Sequence, residues 1–392
     1  MRILFVAHGP AHVPWTVPLA WAAQLAGHEV RVAARPQALP KVAEAGLIAV
    51  PIGAAAAGDA FARWAAPPSG SRARRVPAQW PSGPLNWAEE KRLSWADQVL
   101  ALADALADDL VAYARWWRPQ LVVHDVGAVA GLVAAEAAGV PAVAHNWCQP
   151  LGLYFLHEEE VPPAYERLFQ RFGLRPRIGG DVWIDATPPS LAVSHPVPRL
   201  PMRYTVYNGP GALAAWTAAD PERPRVCVTG GIATDAAGGF ARQLVTEVAD
   251  LDVEIVLALA NPVVLGGAAL PANVRLTRPV PLGALLGTSA VLVQHGGAGS
   301  SMTALARGVP QLVLPEASAT TQSLWADQIA AAGAGRGLLP AERSPGSLRA
   351  ALLDLLHRPE YAARALGISA EIAAMPSPAE LIRNLETRVA AS

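Results

Sequence analysis

The chain has 392 residues, of which 52% are hydrophobic and 16% are charged, and its net charge is -1. This length allows two or three domains of ordinary size, and the composition is that of a folded, core-rich protein rather than a disordered one. A chain so close to neutrality lacks the basic field that attracts nucleic acid or an anionic membrane, so we expect neither partner.

Strand and helix patterns alternate through the first half. The opening apolar run is too short for a signal peptide and ends in a turn, and no later run is long and uncharged enough to span a bilayer. We therefore expect a cytoplasmic protein. The predicted strands are 3–7, 29–34, 120–123 and 142–145, and the predicted helices are 17–25, 95–117 and 130–138.

The alternation restarts in the second half. The predicted strands there are 225–229, 254–258, 274–277, 290–294 and 311–314, with a helix at 240–248. Alternating strands and helices indicate parallel sheets covered on both faces, and the stretch rich in proline and glycine between them indicates a linker. The sequence predicts an α/β protein with two facing, doubly wound Rossmann-like domains and a cleft between them. The predicted division is an N-terminal domain at 1–205, a linker at 206–224, a C-terminal domain at 225–375, and a helical tail at 376–392.

A glycine-rich turn, His295-Gly296-Gly297-Ala298-Gly299-Ser300-Ser301, follows an apolar strand and precedes an amphipathic run. Glycines allow a ligand close to the backbone, and a helix N-terminus offers unpaired N–H donors that suit a phosphate. Such turns also occur where a helix simply packs close to a sheet. The spacing matches neither the P-loop nor the dinucleotide-binding pattern.

The chain resembles the GT-B-fold glycosyltransferases of actinobacterial natural-product pathways, in the branch that glycosylates macrolides, enediynes and aromatic polyketides. The resemblance covers nearly the whole chain. It is carried by the glycine-rich turn, by residues 304–315, and by the shorter motifs at 17–21, 26–30 and 207–211.

The resemblance implies a GT-B fold in which the glycine-rich turn binds the diphosphate of a sugar nucleotide. His295 would contact a phosphate oxygen, and the N–H groups of Gly297 to Ser301 would surround the diphosphate. Thr229 and Gly230 match a second turn that faces the donor. The full set of predicted diphosphate-binding residues is His295, Gly296, Gly297, Ala298, Gly299, Ser300, Ser301, Thr229 and Gly230. No metal ion or other cofactor is expected.

The resemblance also places a catalytic base at His12, with Asp125 as the carboxylate that orients it. His8 is the competing candidate for the base. From the residues alone, His12 equally suits a turn and Asp125 equally suits a helix N-cap. An imidazole, with its ordinary pKa of about 6.5, is well placed to take a proton near neutral pH. The implied reaction is a single displacement that inverts the anomeric carbon.

Two positions depart from the family pattern. Thr321 and Gln322 occupy the sugar-binding positions where relatives often carry Asp-Gln, and a neutral threonine favours a deoxysugar on TDP or UDP. Pro279 stands where many relatives have a tryptophan that stacks on the base, so Val280 and Leu282 are the predicted nucleobase-binding residues.

Three tryptophans, Trp15, Trp80 and Trp147, are predicted to bind an aglycone such as a polyketide. Trp80 belongs to the irregular segment 53–93, which suits either a flap over an apolar ligand or a surface loop. The identity of the acceptor, oxygen or carbon glycosylation, a homodimer and a separate activator protein all stay open.

Three other functions fit parts of the pattern: a nucleotide-sugar epimerase, a lipid-linked sugar transferase, and a non-catalytic sugar-nucleotide-binding helper. An epimerase needs no apolar flap over an acceptor. A lipid-linked enzyme needs a basic, apolar face, for which Arg72, Arg74 and Arg75 are thin support. A helper needs neither His12 nor Asp125.

Overall fold

A computed structural model describes residues 1–53, 89–147, 163–177, 180–192, 198–213, 215–230, 237–259, 270–277, 280–316 and 320–391. Trp80, and with it most of the predicted flap, lies outside the described residues.

The described part of the first half forms one parallel sheet. Its strands are β1 Arg2–Val6, β2 Glu29–Ala34, β3 Ala49–Pro51, β4 Leu121–Asp125, β5 Ala142–Asn146, β6 Val182–Asp185 and β7 Arg199–Pro201. They lie in the order β3-β2-β1-β4-β5-β6-β7, and each pairs in parallel with its neighbours. The consecutive residues Ile3, Leu4 and Phe5 are all fully buried, because helices cover both faces of the sheet.

The described part of the second half repeats this topology. Its strands are β8 Arg225–Thr229, β9 Glu254–Ala258, β10 Val274–Thr277, β11 Val291–Gln294, β12 Gln311–Val313 and β13 Gly335–Gly337. They lie in the order β10-β9-β8-β11-β12-β13, again all parallel. Two doubly wound sheets, each beginning in the middle and growing outward both ways, make up the fold.

Helices connect the strands and cover the sheets. In the described residues they are α1 Val13–Leu25, α2 Leu39–Glu44, α3 Glu89–Trp117, α4 Val129–Ala138, α5 Pro163–Gln170, α6 Ala215–Ala218, α7 Ala237–Glu247, α8 Leu282–Leu285, α9 Ala298–Ala306, α10 Thr320–Ala331, α11 Ser347–His357, α12 Pro359–Ala374 and α13 Pro378–Ala390. Short 3-10 helices lie at Pro36–Ala38, Pro189–Leu191, Leu286–Thr288 and Pro340–Glu342. None of the helices in the described ranges has both the length and the apolarity needed to cross a bilayer.

Each sheet has one point where its strand order reverses, and this point fixes where a ligand can bind. The reversal lies between β1 and β4 in the first sheet and between β8 and β11 in the second. Val6 lies beside His124 in the first register, and Thr229 lies beside Gln294 in the second. Loops diverge at such points and leave a crevice at the carboxyl ends of the strands. A ligand is therefore expected to bind at the residues that follow β1, β4, β8 and β11.

Four strands, 29–34, 225–229, 254–258 and 274–277, have the predicted bounds. The first helix was predicted to start at residue 17, but it starts at Val13. Pro14 lies in its first turn, where a missing N–H costs no helical hydrogen bond, so the proline does not delay the helix. The predicted start of 95–117 was also late, because α3 starts at Glu89.

The last helix, α13, returns to the first sheet. Leu381, Ile382 and Leu385 are buried in the same apolar cluster as Ile3 and Val17. The helix lies within the predicted tail 376–392, and its start is fixed by a capping box between Ser377 and Glu380. The chain thus crosses between its halves twice, while the domain bounds themselves stay a prediction.

Candidate active site

His12 and Asp125 lie together at the reversal point of the first sheet. His12 is the N-cap residue of α1, and Asp125 is the last residue of β4. The Nδ1 atom of His12 lies 2.8 Å from Oδ2 of Asp125. An ionised carboxylate accepts hydrogen bonds only, so Nδ1 carries the proton and Nε2 is left as the basic nitrogen. The structure therefore brings the predicted pair into the geometry of a base and its orienting carboxylate.

Asp125 is surrounded by donors. Its Oδ1 accepts a hydrogen bond from the N–H of Gly127 at 2.8 Å and another from Nε1 of Trp147 at 3.1 Å. Burial alone would raise the pKa of Asp125, but the charge and hydrogen bond of His12, the nearby His8 and the Gly127 N–H together lower that pKa to about 2. The carboxylate therefore stays ionised near neutral pH.

His8 occupies a different environment. Its Nδ1–H donates to the carbonyl oxygen of Gly127 at 3.0 Å, and its ring centroid is 5.1 Å from that of His12. Burial, followed by repulsion from a charged His12, lowers the pKa of His8 to about 4. The hydrogen bond to Asp125 belongs to His12, so the geometry favours His12 over His8 as the base.

The glycine-rich turn begins at the reversal point of the second sheet. Its helix, α9, has Gly297 as N-cap, so the N–H groups of Ala298, Gly299 and Ser300 are in the first turn and are not needed for helical hydrogen bonds. Residues 297–300 are partly exposed, whereas the residues on either side are buried. The open face of the turn is therefore the helix N-terminus, where an anion is stabilised.

Gln294 shapes this turn from inside the fold. Its side-chain nitrogen donates to Ser301 Oγ at 3.0 Å and to Gln311 Oε1 at 3.1 Å, and its Oε1 accepts the N–H of Gly296 at 2.7 Å. Ser301 is completely buried. Gly296 and Ser301 were both predicted diphosphate-binding residues, but the Gly296 N–H and Ser301 Oγ bond Gln294, and the Ser301 N–H donates to the carbonyl oxygen of Gly297 at 2.9 Å, so these groups are committed to the fold.

His295 is 6% exposed, and its Nδ1 has no hydrogen-bond partner among the described residues. Burial lowers the pKa of His295 to about 4, so the imidazole is neutral near pH 7. A Cβ at position 297 would lie 2.7 Å from His295 Nε2, which explains why this position is a glycine. An anion at the turn would meet a neutral imidazole with one ring nitrogen still unsatisfied.

The other predicted donor residues lie at the end of β8, near the start of α8 and on α10. Thr229 and Gly230 lie at the carboxyl end of β8, beside Gln294. Val280 and Leu282 are half-buried near the start of α8. Thr321 is partly exposed on α10. Gln322 is buried, and its Oε1 accepts the N–H of Glu316 at 2.9 Å, so part of its amide is used to hold that loop.

The two halves meet where α1 faces α9. A Cβ on Gly299 would lie 3.9 Å from Nε1 of Trp15, which is on the same helix turn as His12. Trp15 is only 8% exposed, and its ring packs 4.9 Å from that of Tyr204. Trp15 and Trp147, both predicted to bind the acceptor, line a small gap between the halves, together with Met302 and Trp325.

Two residues near the linker hold α9 in place and were not predicted as site residues. The hydroxyl of Tyr204 lies 3.1 Å from Oγ1 of the buried Thr303, and Asn208 Nδ2 donates to the same atom at 3.1 Å. Asn208 Oδ1 also accepts the N–H of Gly283 at 2.8 Å, which ties α8 to α9. Asn208 belongs to the motif 207–211, so the sequence signal was present although its structural reason was not.

No group of three His, Cys, Asp or Glu side chains within the described ranges is arranged to hold a metal ion.

Comparison with known proteins accounts for this arrangement. The family model "Erythromycin biosynthesis protein CIII-like, N-terminal domain" matches residues 21–231, and the corresponding C-terminal domain model matches residues 242–387. The aclacinomycin-T 2-deoxy-L-fucose transferase of Streptomyces galilaeus is 33% identical over 98% of this chain and 96% of that protein. The 10-deoxymethynolide desosaminyltransferase of Streptomyces venezuelae is also 33% identical, over the same shares.

Solved structures agree with these matches. Spinosyn rhamnosyltransferase SpnG superposes with a TM-score of 0.82 at 31% identity, over 98% of this chain and all of that one. It has been solved with thymidine diphosphate and with the spinosyn aglycone. The two parallel sheets are those of the GT-B fold. The chain belongs to the erythromycin biosynthesis protein CIII-like family of glycosyltransferases.

Proposed function

We propose that this enzyme moves a deoxysugar from a TDP-sugar, or less readily a UDP-sugar, to a natural-product aglycone such as a polyketide, with inversion at the anomeric carbon. One observation carries the proposal. A histidine–carboxylate pair lies at the reversal point of one sheet, and a glycine-rich helix N-terminus lies at the reversal point of the other. A base and an anion site are the two components that glycosyl transfer from a nucleoside diphosphate requires.

On the donor side, the N–H groups of Ala298, Gly299 and Ser300 would hydrogen-bond the diphosphate, and His295 would add a ring N–H. These groups gain strength as negative charge develops on the leaving phosphate, so they would stabilise the transition state more than the bound donor. Thr229 and Gly230, at the adjacent strand end, would complete the pocket. Backbone dipoles and His295 then meet the diphosphate charge without a metal ion or other cofactor.

On the acceptor side, Nε2 of His12 would take the proton of the attacking hydroxyl. The acceptor oxygen forms a bond to the anomeric carbon while the bond from that carbon to the diphosphate oxygen breaks. The electron pair leaves with the nucleoside diphosphate, and the proton stays on His12, where Asp125 stabilises the resulting imidazolium. A single displacement of this kind inverts the anomeric centre. An acceptor carbon could take the place of the oxygen with the same base.

The choice of sugar and nucleobase rests on sequence and on the relatives. Thr321 is neutral and partly exposed beside the turn, which favours a sugar with fewer hydroxyl groups. A relative named for transferring 2-deoxy-L-fucose and another solved with thymidine diphosphate support a TDP-deoxysugar. Val280 and Leu282 would provide backbone and apolar contacts to the base, and Trp15, Trp80 and Trp147 would contact the aglycone.

The test is a mass-spectrometric transfer assay with TDP- and UDP-sugars against a panel of polyketide and aromatic aglycones. We expect a product with a TDP-deoxysugar, and NMR of that product should show the anomeric configuration opposite to that of the donor. Retention of configuration would refute the single displacement. A strong preference for UDP-glucose would refute the deoxysugar assignment.

The alternative functions make different predictions in the same assay. A nucleotide-sugar epimerase would convert the donor without an aglycone, and a lipid-linked transferase would need a lipid acceptor. A non-catalytic helper would bind TDP but form no product. The short hydrogen bond between His12 and Asp125 favours transfer, because a binding protein gains nothing from an oriented base. Whether an activator protein is required can be read from the same assay with and without cell extract of the source strain, and a homodimer can be read from the molar mass of the pure protein in solution.

A further inference from the structure

Trp147 has a polar contact that an acceptor-binding role does not explain. It follows the last residue of β5, and its indole Nε1–H donates to Asp125 Oδ1 at 3.1 Å. Its ring centroid lies 4.4 Å from that of His12, with 56° between the ring planes. The same side chain therefore contacts both members of the proposed catalytic pair.

We propose that Trp147 is a positioning residue for the base: its indole N–H fixes Asp125 Oδ1 so that Oδ2 faces His12 Nδ1, and its ring limits the rotation of the His12 imidazole. The inference rests on the proposed function, since it concerns how the same site holds its base.

The geometry of Asp125 gives the physical reason. A carboxylate bonded at a single oxygen can turn about its Cβ–Cγ bond, and a turn would take Oδ2 away from His12. Here Oδ1 has two donors, Gly127 N–H and Trp147 Nε1–H, which approach from different parts of the chain. Hydrogen bonds to an ionised group are stronger than those between neutral groups, so losing one of the two should loosen the carboxylate measurably.

Trp147 itself is held from both halves of the molecule. Toward the first sheet it packs against Val126, Ala144 and the buried Trp183. Toward the second half it lines the small gap with Met302 and Trp325. Met302 is on α9, whose N-terminus is the anion site, so the ring that orients the base also faces the helix that would hold the donor.

The test compares Trp147→Phe with Trp325→Phe. Phenylalanine keeps an aromatic ring but removes the indole N–H. Trp325 is the matched control, because it lines the same gap and its buried Nε1 has no partner among the described residues. With the donor and acceptor that the transfer assay identifies, Trp147→Phe should lower kcat by about tenfold, the effect of one lost hydrogen bond to a charged group, and leave KM and TDP affinity within about twofold. Trp325→Phe should leave kcat within about threefold.

Two further readouts separate positioning from packing. In an Asp125→Asn background, Trp147→Phe should have less than about a twofold effect on kcat, because residues acting through one partner are not additive. In ligand-free protein, the Nδ1–H proton of His12, followed by NMR, should exchange with water faster in Trp147→Phe, because the carboxylate that accepts it is then held at Oδ1 by one donor instead of two. Its exchange should be unchanged in Trp325→Phe.

Equal losses of kcat in both tryptophan variants would overturn the proposal, as would an undiminished effect in the Asp125→Asn background or an unchanged exchange rate of the His12 Nδ1–H proton in Trp147→Phe. The NMR measurement needs no sugar transfer. If the wild-type protein glycosylates no aglycone, the proposed function fails, while the exchange rate of the His12 Nδ1–H proton still decides whether Trp147 positions the pair.

Discussion

Replacing Asp125 with asparagine tests the catalytic pair most directly. The change keeps the size of the side chain but introduces an NH2 group where all three neighbours are donors, at 2.8 to 3.1 Å. If the amide nitrogen faces His12, the imidazole must move its proton to Nε2 to avoid two opposed donors, and the basic nitrogen is lost. If it faces the other way, Gly127 and Trp147 lose their acceptor.

The size of both effects follows from the structure. Loss of the correct tautomer removes general-base catalysis, which contributes about 10² to 10⁴ in rate, so kcat should fall by about that factor. The fall in the pKa of Asp125 from 3.8 to about 2 corresponds to about 2 kcal/mol of stabilisation of the folded state. Because the folded pKa is the lower one, this stabilisation is present above pH 4 and is lost as the pH falls toward 2.

The assay combines kcat from sugar transfer, TDP affinity by calorimetry, and urea unfolding at pH 7. We expect the kcat loss above, TDP affinity within about twofold, and unfolding free energy lower by about 2 kcal/mol. Asp185→Asn is the control, since Asp185 is also a buried aspartate at a strand end but bonds Arg199 and the Thr187 N–H instead of a histidine. It should cost stability while leaving kcat within about tenfold. A kcat loss under tenfold in Asp125→Asn would refute the pair.

Three further predictions concern stability. Three buried histidines, His8, His145 and His295, have pKa values of about 4 in the folded protein but protonate near pH 6.5 when unfolded. The free energy of unfolding should therefore fall by about 4 kcal/mol per pH unit between pH 6 and 5, and His145→Gln should reduce this slope by about a third. Equal urea midpoints of unfolding at pH 6 and pH 5 would contradict the reasoning. Gly296→Ala should cost more than about 3 kcal/mol, because its φ is +99° and its Cβ would meet the Gln322 backbone at 2.7 Å. A Cβ on Gly299 would make only an ordinary van der Waals contact, 3.9 Å from Nε1 of Trp15, so Gly299→Ala should stay within about 1 kcal/mol. Equal losses in those two variants would rule out the steric explanation. Thr303→Val should cost about 2 kcal/mol in unfolding free energy, since two neighbouring side chains lose a buried partner, and an unchanged value would show that those bonds contribute little.

The repeating strands and the glycine-rich turn could be predicted because their signals are local. A buried parallel strand is a short run of apolar residues, and a turn into a helix N-terminus needs glycines at fixed places. The bounds of β8 and β9 followed from such runs. The start of α1 could not be predicted in this way. A proline in the first helical turn suggests a helix break in the sequence, although at that position no helical hydrogen bond is lost.

The amino-acid sequence by itself determined the two doubly wound halves, the glycine-rich turn into a helix N-terminus and the family, since each depends on the order of residues along a short segment. The tertiary structure decided which side chains meet. His12 and Asp125 are 113 residues apart, and their pairing depends on β1 and β4 being neighbours in the sheet. The same packing directs the Ser301 hydroxyl toward the buried Gln294 and brings the Trp147 indole N–H within hydrogen-bond distance of Asp125. No local pattern specifies these orientations, because each is fixed by a partner that is distant along the chain.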